Sequence, residues 1–439
     1  MIPGRRVLKS IGILAGGTAI AQMAAFAAAP VLTRLYSAND FGYLQIYASI
    51  LAFALTMVAL RFELAIMLPK EEETAVSLVA TALLVIAVMA SLMEIVVAVV
   101  VHVDSLWRGA AGLRPYLWLL PVSAAGGGTY QVFTYWALRH NAYKDIATTK
   151  ITQVLTQLTG QLGLQGGFRV GLVGLLIGDA CGRFVGSLRL ARKAWIESAL
   201  ELRAVRARAM WNAAVRYRGY PLVSAGTGMI NTAGLQAPIL LIAGLYGLKV
   251  IGLFALVDRV MGVPSVLVGQ ATGQVFTAEA SRLAISDPER LRQVFLKTVS
   301  RLALASGFPA LFFAIIAPSI FGIVFGHQWA AAGDIARVVI PMYWLQFVDT
   351  PVNMSLNLME RQHWQLQWDV GRLVLATASA LITHRLGASA RICLAAHASV
   401  MALAYVVHLA LCYTAIRTHG NRRGSGLASI ESPKLIEVK

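Results

Sequence analysis

Apolar residues fall in long blocks separated by short polar connections. Twelve blocks lie at roughly 10–33, 41–68, 76–101, 115–138, 146–167, 170–190, 220–245, 249–276, 294–325, 331–358, 363–385 and 388–416. An α-helix needs about 20 such residues to cross a bilayer. The pattern therefore predicts an all-α polytopic membrane protein with about twelve transmembrane helices. The fifth block departs from it, because Thr148, Thr149, Lys150, Gln153, Thr156, Gln157 and Gln161 give it a polar face. Such a face suits a span that lines a water-filled cavity. The alternative is a surface helix, which would break the even count.

Composition agrees: of 439 residues, 57% are hydrophobic and 13% charged, with a mean hydropathy of +0.66. Soluble chains average about 25% charged residues. Twelve spans leave no room for an ordinary extramembrane domain, which removes most enzymes with soluble catalytic modules. A net charge of +17 would suit nucleic acid, yet the basic residues concentrate on alternate connections. With the N-terminus inside, 26 Lys and Arg fall on the cytoplasmic side and seven outside. The positive-inside rule then makes both termini cytoplasmic and removes the case for a nucleic-acid partner. Arg5-Arg6-Val7-Leu8-Lys9 looks like a twin-arginine signal, but the apolar stretch Ile11–Leu32 is too long for one and reads as the first span. Cys181, Cys393 and Cys412 form no CxxC pair and read as inert core thiols.

An internal repeat divides the chain. Gly17-Thr18, Pro30, Leu35-Tyr36 and Gly42 recur as Gly226-Thr227, Pro238, Leu245-Tyr246 and Gly252. Six spans separate the copies, so two parallel six-helix bundles are expected, 1–190 and 219–416, a common transporter architecture. Between them, 191–218 reads as a basic, amphipathic cytoplasmic linker on the anionic leaflet, or as a plain solvated connector. Residues 417–439 read as a disordered cytoplasmic tail.

No GxSxG, HExxH or Walker A pattern is present, so no catalytic residues, metal or cofactor are assigned and ATP hydrolysis is excluded. The chemistry must rest on ionisable residues inside the spans, which face a cavity or one another. Asp179 and Arg183 are spaced i,i+4, and Asp369 and Arg372 i,i+3, so each pair can neutralise itself as a structural ion pair. Arg259, Arg301 and Arg337 have less obvious partners and are the candidates for a cationic substrate-binding cavity. Glu94 and Asp349, the latter near Gln346, Asn353 and Asn357, are candidates for coupling to a proton or sodium gradient. His397 and His408 share a helix face and read as proton carriers or as ordinary buried histidines. Gly174, Gly178, Gly182 and Gly186 form a stripe for close helix packing. Prolines within spans, among them Pro30, Pro238, Pro318 and Pro341, supply kinks.

The opening stretch, with Pro30, Leu32-Thr33-Arg34-Leu35-Tyr36-Ser37, Asp40-Phe41-Gly42, Leu60-Arg61-Phe62-Glu63-Leu64-Ala65-Ile66 and Leu68-Pro69, resembles the bacterial polysaccharide transporter family. So do Tyr135-Trp136-Ala137 with Arg139, and later Phe325-Gly326, Trp329, Pro341, Pro351 and Arg361-Gln362. That family includes the O-antigen and exopolysaccharide repeat-unit flippases of the multidrug/oligosaccharidyl-lipid/polysaccharide exporter superfamily. The resemblance implies a V-shaped transporter, with two six-helix lobes around a central cavity. It also implies alternating-access movement of a polyprenyl-diphosphate-linked oligosaccharide across the bacterial inner membrane for O-antigen, lipopolysaccharide or exopolysaccharide biosynthesis. Partners on that reading are the lipid-linked substrate, membrane lipids, and a repeat-unit polymerase and glycosyltransferases. His327 and Gln328 stand where acidic or polar residues would be expected. The rival is a multidrug or cation antiporter of the related extrusion family, in which acidic cavity residues would dominate.

Overall fold

The computed structural model describes residues 5–103, 111–203 and 205–430. Among them no strand occurs. The first half comprises α1 (Arg5–Leu35), α2 (Ala38–Met57), the single turn α3 (Phe62–Ala65), α4 (Glu72–Val100), α5 (Leu119–Arg139), α6 (Tyr143–Phe168) and α7 (Leu172–Arg203). After α8 (Ala207–Arg216) come α9 (Ala225–Tyr246), α10 (Leu248–Pro264), α11 (Gln270–Ser286), α12 (Pro288–Phe325) and α13 (Ala330–Asp349). The chain closes with α14 (Ser355–Leu358), α15 (Gln362–Arg385) and α16 (Ala390–Ile430).

These helices make twelve rods, with α10 and α11 joined through a π-helical turn, Ser265–Gly269, that follows Pro264. Seven of the rods are long and apolar enough to cross a membrane by length and composition alone. The other five, α5, α6, α7, α13 and α15, carry more polar or charged positions and are packed among their neighbours. Lipid-type side chains cover the outside: Leu84, Val88, Val99, Leu304, Phe308 and Ile315 are all exposed. The protein is an all-α polytopic membrane protein. Its near end carries the α7–α8 connection and the start of α9. Its far end carries the α1–α2 and α9–α10 turns.

Several expectations need correction. The second block does not continue to residue 68: α2 stops at Met57, and Leu60 and Arg61 both adopt left-handed φ, +47° and +63°. Hydropathy does not register such a break, because most residues across it, Arg61 and Glu63 apart, remain apolar. The linker is not one unit, since α7 runs unbroken to Arg203 and α8 packs against α4, where Thr81 Oγ1 donates to the Met210 carbonyl at 3.3 Å. Helical backbone continues to Ile430, past the start of the expected disordered tail, and no proline lies between Ala390 and Ile430 to stop it. Residues 431–439 lie outside the described residues. Cys181 is exposed on α7, whereas Cys393 and Cys412 are buried.

The polar face of α6 does not line a large cavity either. Gln161 is buried and donates to the Leu175 carbonyl of α7, Gln165 donates to the Leu35 carbonyl, and Lys150 donates to Thr18 Oγ1. The glycine stripe explains the first contact. A Cβ on Gly178 would meet Gln161 N at 2.8 Å and Gln157 O at 2.9 Å, so the α6 backbone lies directly on α7.

The repeat forms the seam between the halves. A Cβ on Gly42 of α2 would collide with the Leu248 carbonyl of α10, and one on Gly252 of α10 with the Ala38 carbonyl of α2. Leu248 and Ala38 are themselves equivalent positions of the repeat. At the same end Gln328 Nε2 and Trp329 Nε1 donate to the Thr33 carbonyl at 3.0 and 2.9 Å, and Phe41 meets the Trp329 ring edge-on at 5.1 Å. The far end is therefore closed.

Candidate functional site

At the near end the halves part around a polar cavity of about 590 Å³. From the first half it takes Arg61 and Leu64. From the second it takes Thr227, Gly228 and Asn231 of α9, Gln346 and Asp349 of α13, Gln365, Asp369 and Arg372 of α15, and Tyr405 and His408 of α16.

Arg61 reaches this cavity because of the break after α2. Two consecutive non-glycine residues in the left-handed region cost roughly 1–2 kcal/mol each, and they aim Arg61 across the seam at α9. There Gly228 leaves the space, since a Cβ would collide with the guanidinium. Glu63, almost wholly buried, lies 3.8 Å from Arg61 Nη1, too far for a hydrogen bond. Arg61 Nε has no acceptor on the protein.

Arg372 approaches from the opposite wall. Its Nη2 donates to Asp369 Oδ1 and to Asn231 Oδ1, both at 2.9 Å, and its guanidinium lies 4.4 Å over the Trp368 ring. Gly234 of α9 makes room, as a Cβ there would stand 3.0 Å from Nη2. Arg372 Nε also lacks an acceptor on the protein. One helix, α9, thus clears space for both arginines, and in each the unpartnered Nε is itself buried against the protein. The polar wall continues through Gln365, Asp369, His408 and Asp349.

The other sequence candidates lie elsewhere. Arg259 donates to the Ala25 carbonyl of α1 at 3.1 Å, within the seam. Arg301 is exposed on α12, where the basic positions Arg290 and Lys297 give way to Leu304 and Phe308, the pattern of a headgroup-level arginine. Arg337 donates to the Ala314 and Ile315 carbonyls at 3.0 and 2.7 Å, with Asp334 3.9 Å away. Pro318 explains that contact: it has no N–H to give Ala314, four residues before it, and Arg337 supplies the donor. None of these three lines the cavity. Glu94 is exposed on α4, also outside it. Asp179 and Arg183 make a two-point ion pair at 2.8 and 3.2 Å on α7. Asp369 and Arg372 pair too, but in the cavity wall rather than in a purely structural place. Asp349 and His408 are in that wall, whereas His397 is buried outside it. Arg61 was missed as a site residue because by sequence it stands at the end of the block 41–68, among the 26 cytoplasmic-side basic residues, and was given no cavity role. The signal available was its place next to Glu63 in a continuous apolar run.

The family model for the polysaccharide biosynthesis protein matches residues 31–334, more than half the chain. The chain belongs to that family. No curated protein matches this member of the polysaccharide biosynthesis family in sequence. Solved structures match it in fold. A multidrug resistance MATE family transporter of the MOP superfamily in an inward-facing conformation gives a TM-score of 0.65 at 14% identity, covering 94% of each chain. An outward-facing structure of such a transporter gives 0.63 at 12% identity, covering 94% of this chain and 96% of the other. A MOP superfamily transporter from Pyrococcus furiosus, described as having a binding pocket of reverse polarity that suggests a different function, gives 0.59 at 14%, covering 94% and 96%. This polysaccharide biosynthesis family protein therefore has the fold of a membrane transporter.

Proposed function

We propose that the protein is a bacterial inner-membrane flippase that exports polyprenyl-diphosphate-linked oligosaccharides, such as O-antigen or exopolysaccharide repeat units, by alternating access. The observation that carries this reading is the pair Arg61 and Arg372, set on different halves and facing one cavity. Planar guanidinium groups match the oxygens of a diphosphate. Asn231, Thr227, Gln346, Asn353 and Asn357 add neutral donors and acceptors of the kind that bind sugar hydroxyls. The family match ties the chain to polysaccharide synthesis, and the superfamily fold supplies two halves that can rock about the seam. A relative with reversed pocket polarity supports the idea that this scaffold serves ligands of different charge.

With the near end at the cytoplasm, the structure is the state that loads substrate from the inner leaflet. Arg61 and Arg372 bridge the halves through the bound diphosphate, and opening of the Gly42–Gly252 contact releases the headgroup outward. The deciding test uses proteoliposomes holding a lipid-linked oligosaccharide in one leaflet, with the leaflet read by an impermeant lectin. Protein-dependent appearance in the opposite leaflet, lost in Arg61→Gln with Arg372→Gln, is the expected result. Transport of cationic drugs but not of the lipid-linked sugar would establish the extrusion-type alternative.

A further inference from the structure

Beside the arginines, the second half buries a histidine and an aspartate that the substrate reading leaves unused. His408 is fully buried and Asp349 is 4% exposed. Nδ1 of His408 lies 2.7 Å from Asp349 Oδ1, and Nε2 lies 3.1 Å from Gln365 Oε1. The Gln365 amide in turn donates to Asp369 Oδ2 at 3.4 Å, and Asp369 is paired with Arg372.

The direction of these bonds fixes where protons must be. Asp369, ionised against Arg372, only accepts, so Gln365 turns its N–H to Asp369 and its oxygen to His408. That oxygen only accepts, so His408 Nε2 carries hydrogen. The contact between Nδ1 and Asp349 then needs a proton of its own, held on the ring or on the carboxyl. Without it two lone pairs would face each other at 2.7 Å. The pair thus holds one proton more than a neutral histidine beside an ionised aspartate. Other groups near it are accounted for. Cys412 Sγ is 3.9 Å from both ring nitrogens, the Trp368 ring is 4.4 Å from the imidazole, and Ser355 of α14 donates to Val352 O. Tyr405 lines the same cavity, and Asp258 of α10 accepts from Tyr343 at 2.6 Å.

We propose that His408 and Asp349 form a proton-binding site whose occupancy is transmitted by Gln365 to the Asp369–Arg372 pair, so that a proton and an anionic headgroup bind together. When the proton leaves, the remaining ring hydrogen serves Asp349 and Nε2 becomes an acceptor. Gln365 must then turn its N–H to His408 and its oxygen to Asp369. Asp369 loses a donor and faces an acceptor, so Arg372 becomes its principal partner and is drawn away from the cavity. Proton occupancy therefore releases Arg372 toward the anion, and by linkage the anion favours the proton.

This rests on the flippase reading for the identity of the anion, and the test separates the two. The probe is a polyprenyl diphosphoryl-N-acetylglucosamine, whose diphosphate is a diester and does not titrate near neutrality. Calorimetry on the full-length protein in buffers of different ionisation enthalpy counts protons per ligand bound, whatever the affinity. At a pH just above that at which the ligand-free site loses its proton, uptake of about one proton is expected for the parent and none for His408→Gln, Asp349→Asn or Gln365→Met. Binding with no uptake, binding with release, or uptake unchanged in these variants overturns the proposal. Absence of binding overturns the flippase reading, and the proton site is then decided by nitrogen-15 NMR of the imidazole. Hydrogen on both nitrogens, or a proton shared with Asp349, is expected at neutral pH in the parent and in Gln365→Met, and lost in Asp349→Asn. An ordinary single-hydrogen imidazole in the parent sinks it.

Discussion

Gly42 and Gly252 occupy equivalent places in the two halves, and each is the gap into which the other helix's backbone fits. The repeat read from sequence is thus a self-complementary contact, in which α2 and α10 close one end of the molecule on each other. A side chain at either position collides with the facing backbone in this closed state. Gly42→Ala or Gly252→Ala should cost the far-closed form about 1–3 kcal/mol, a shift of roughly five- to 150-fold toward far-end opening. Spin labels at Asn39 and Lys249 should report longer distances in the variants; unchanged distances would remove the seam as the closing contact.

Neutralising the cavity arginines should matter far more than neutralising those outside it. Arg61→Gln and Arg372→Gln should each lower polysaccharide export by about tenfold or more, equivalent to ~1.4 kcal/mol. Lys replacements should recover part of the loss, because charge returns without the fork. Arg301→Gln should stay within about twofold of the parent, as expected of an exposed surface charge. Surface polysaccharide measured at equal membrane abundance checks the set, and an equal fall in all three sinks the placement.

Arg337 should behave as a stability residue. Its loss leaves the Ala314 carbonyl, which Pro318 cannot serve, without that donor, costing about 1–3 kcal/mol. Arg337→Ala should therefore lower the melting temperature of the detergent-solubilised protein while leaving the affinity for the lipid-linked sugar near that of the parent. A variant that melts normally but no longer binds would return Arg337 to the site.

Much of the fold was legible because hydropathy and spacing are local properties. The twelve blocks correspond to twelve rods, and the repeat at Gly42 and Gly252 marks a real seam. The site was less so. Every arginine in an apolar block looks alike along the chain, and whether it meets a proline-freed carbonyl, as Arg337 does, or a cavity, as Arg372 does, depends on segments far away in sequence. Arg61 was hidden for a related reason. Its left-handed turn is a backbone state imposed by packing, which Leu60 and Arg61 do not announce in composition. The polar face of α6 misled because glutamines that would suit water also suit a neighbouring backbone when glycines bring it close.

The orientation can be checked separately. The proposal, from the basic bias, is that the near end faces the cytoplasm. Single cysteines introduced at Ser198 and Ser425 should resist impermeant thiol reagents in intact cells and react after permeabilisation. Labelling of either from outside would invert the assignment of inner and outer leaflets.

Five of the twelve rods are not apolar enough to qualify as spans by themselves. Such segments leave a translocon for lipid unwillingly when alone. α5 and α6 emerge from the ribosome before α7, the helix on which both pack, and α13 and α15 emerge before α16. α6, α13 and α15 already meet the earlier helices α1, α12 and α9, but their packing is completed only when α7 and α16 arrive, and until then the insertion machinery or a helper must shield what is left open. The half-formed chain is consequently most exposed to quality control at two moments in its synthesis, just before α7 and just before α16. A truncation at either point should be cleared from the cell faster than one ending after the completed bundle.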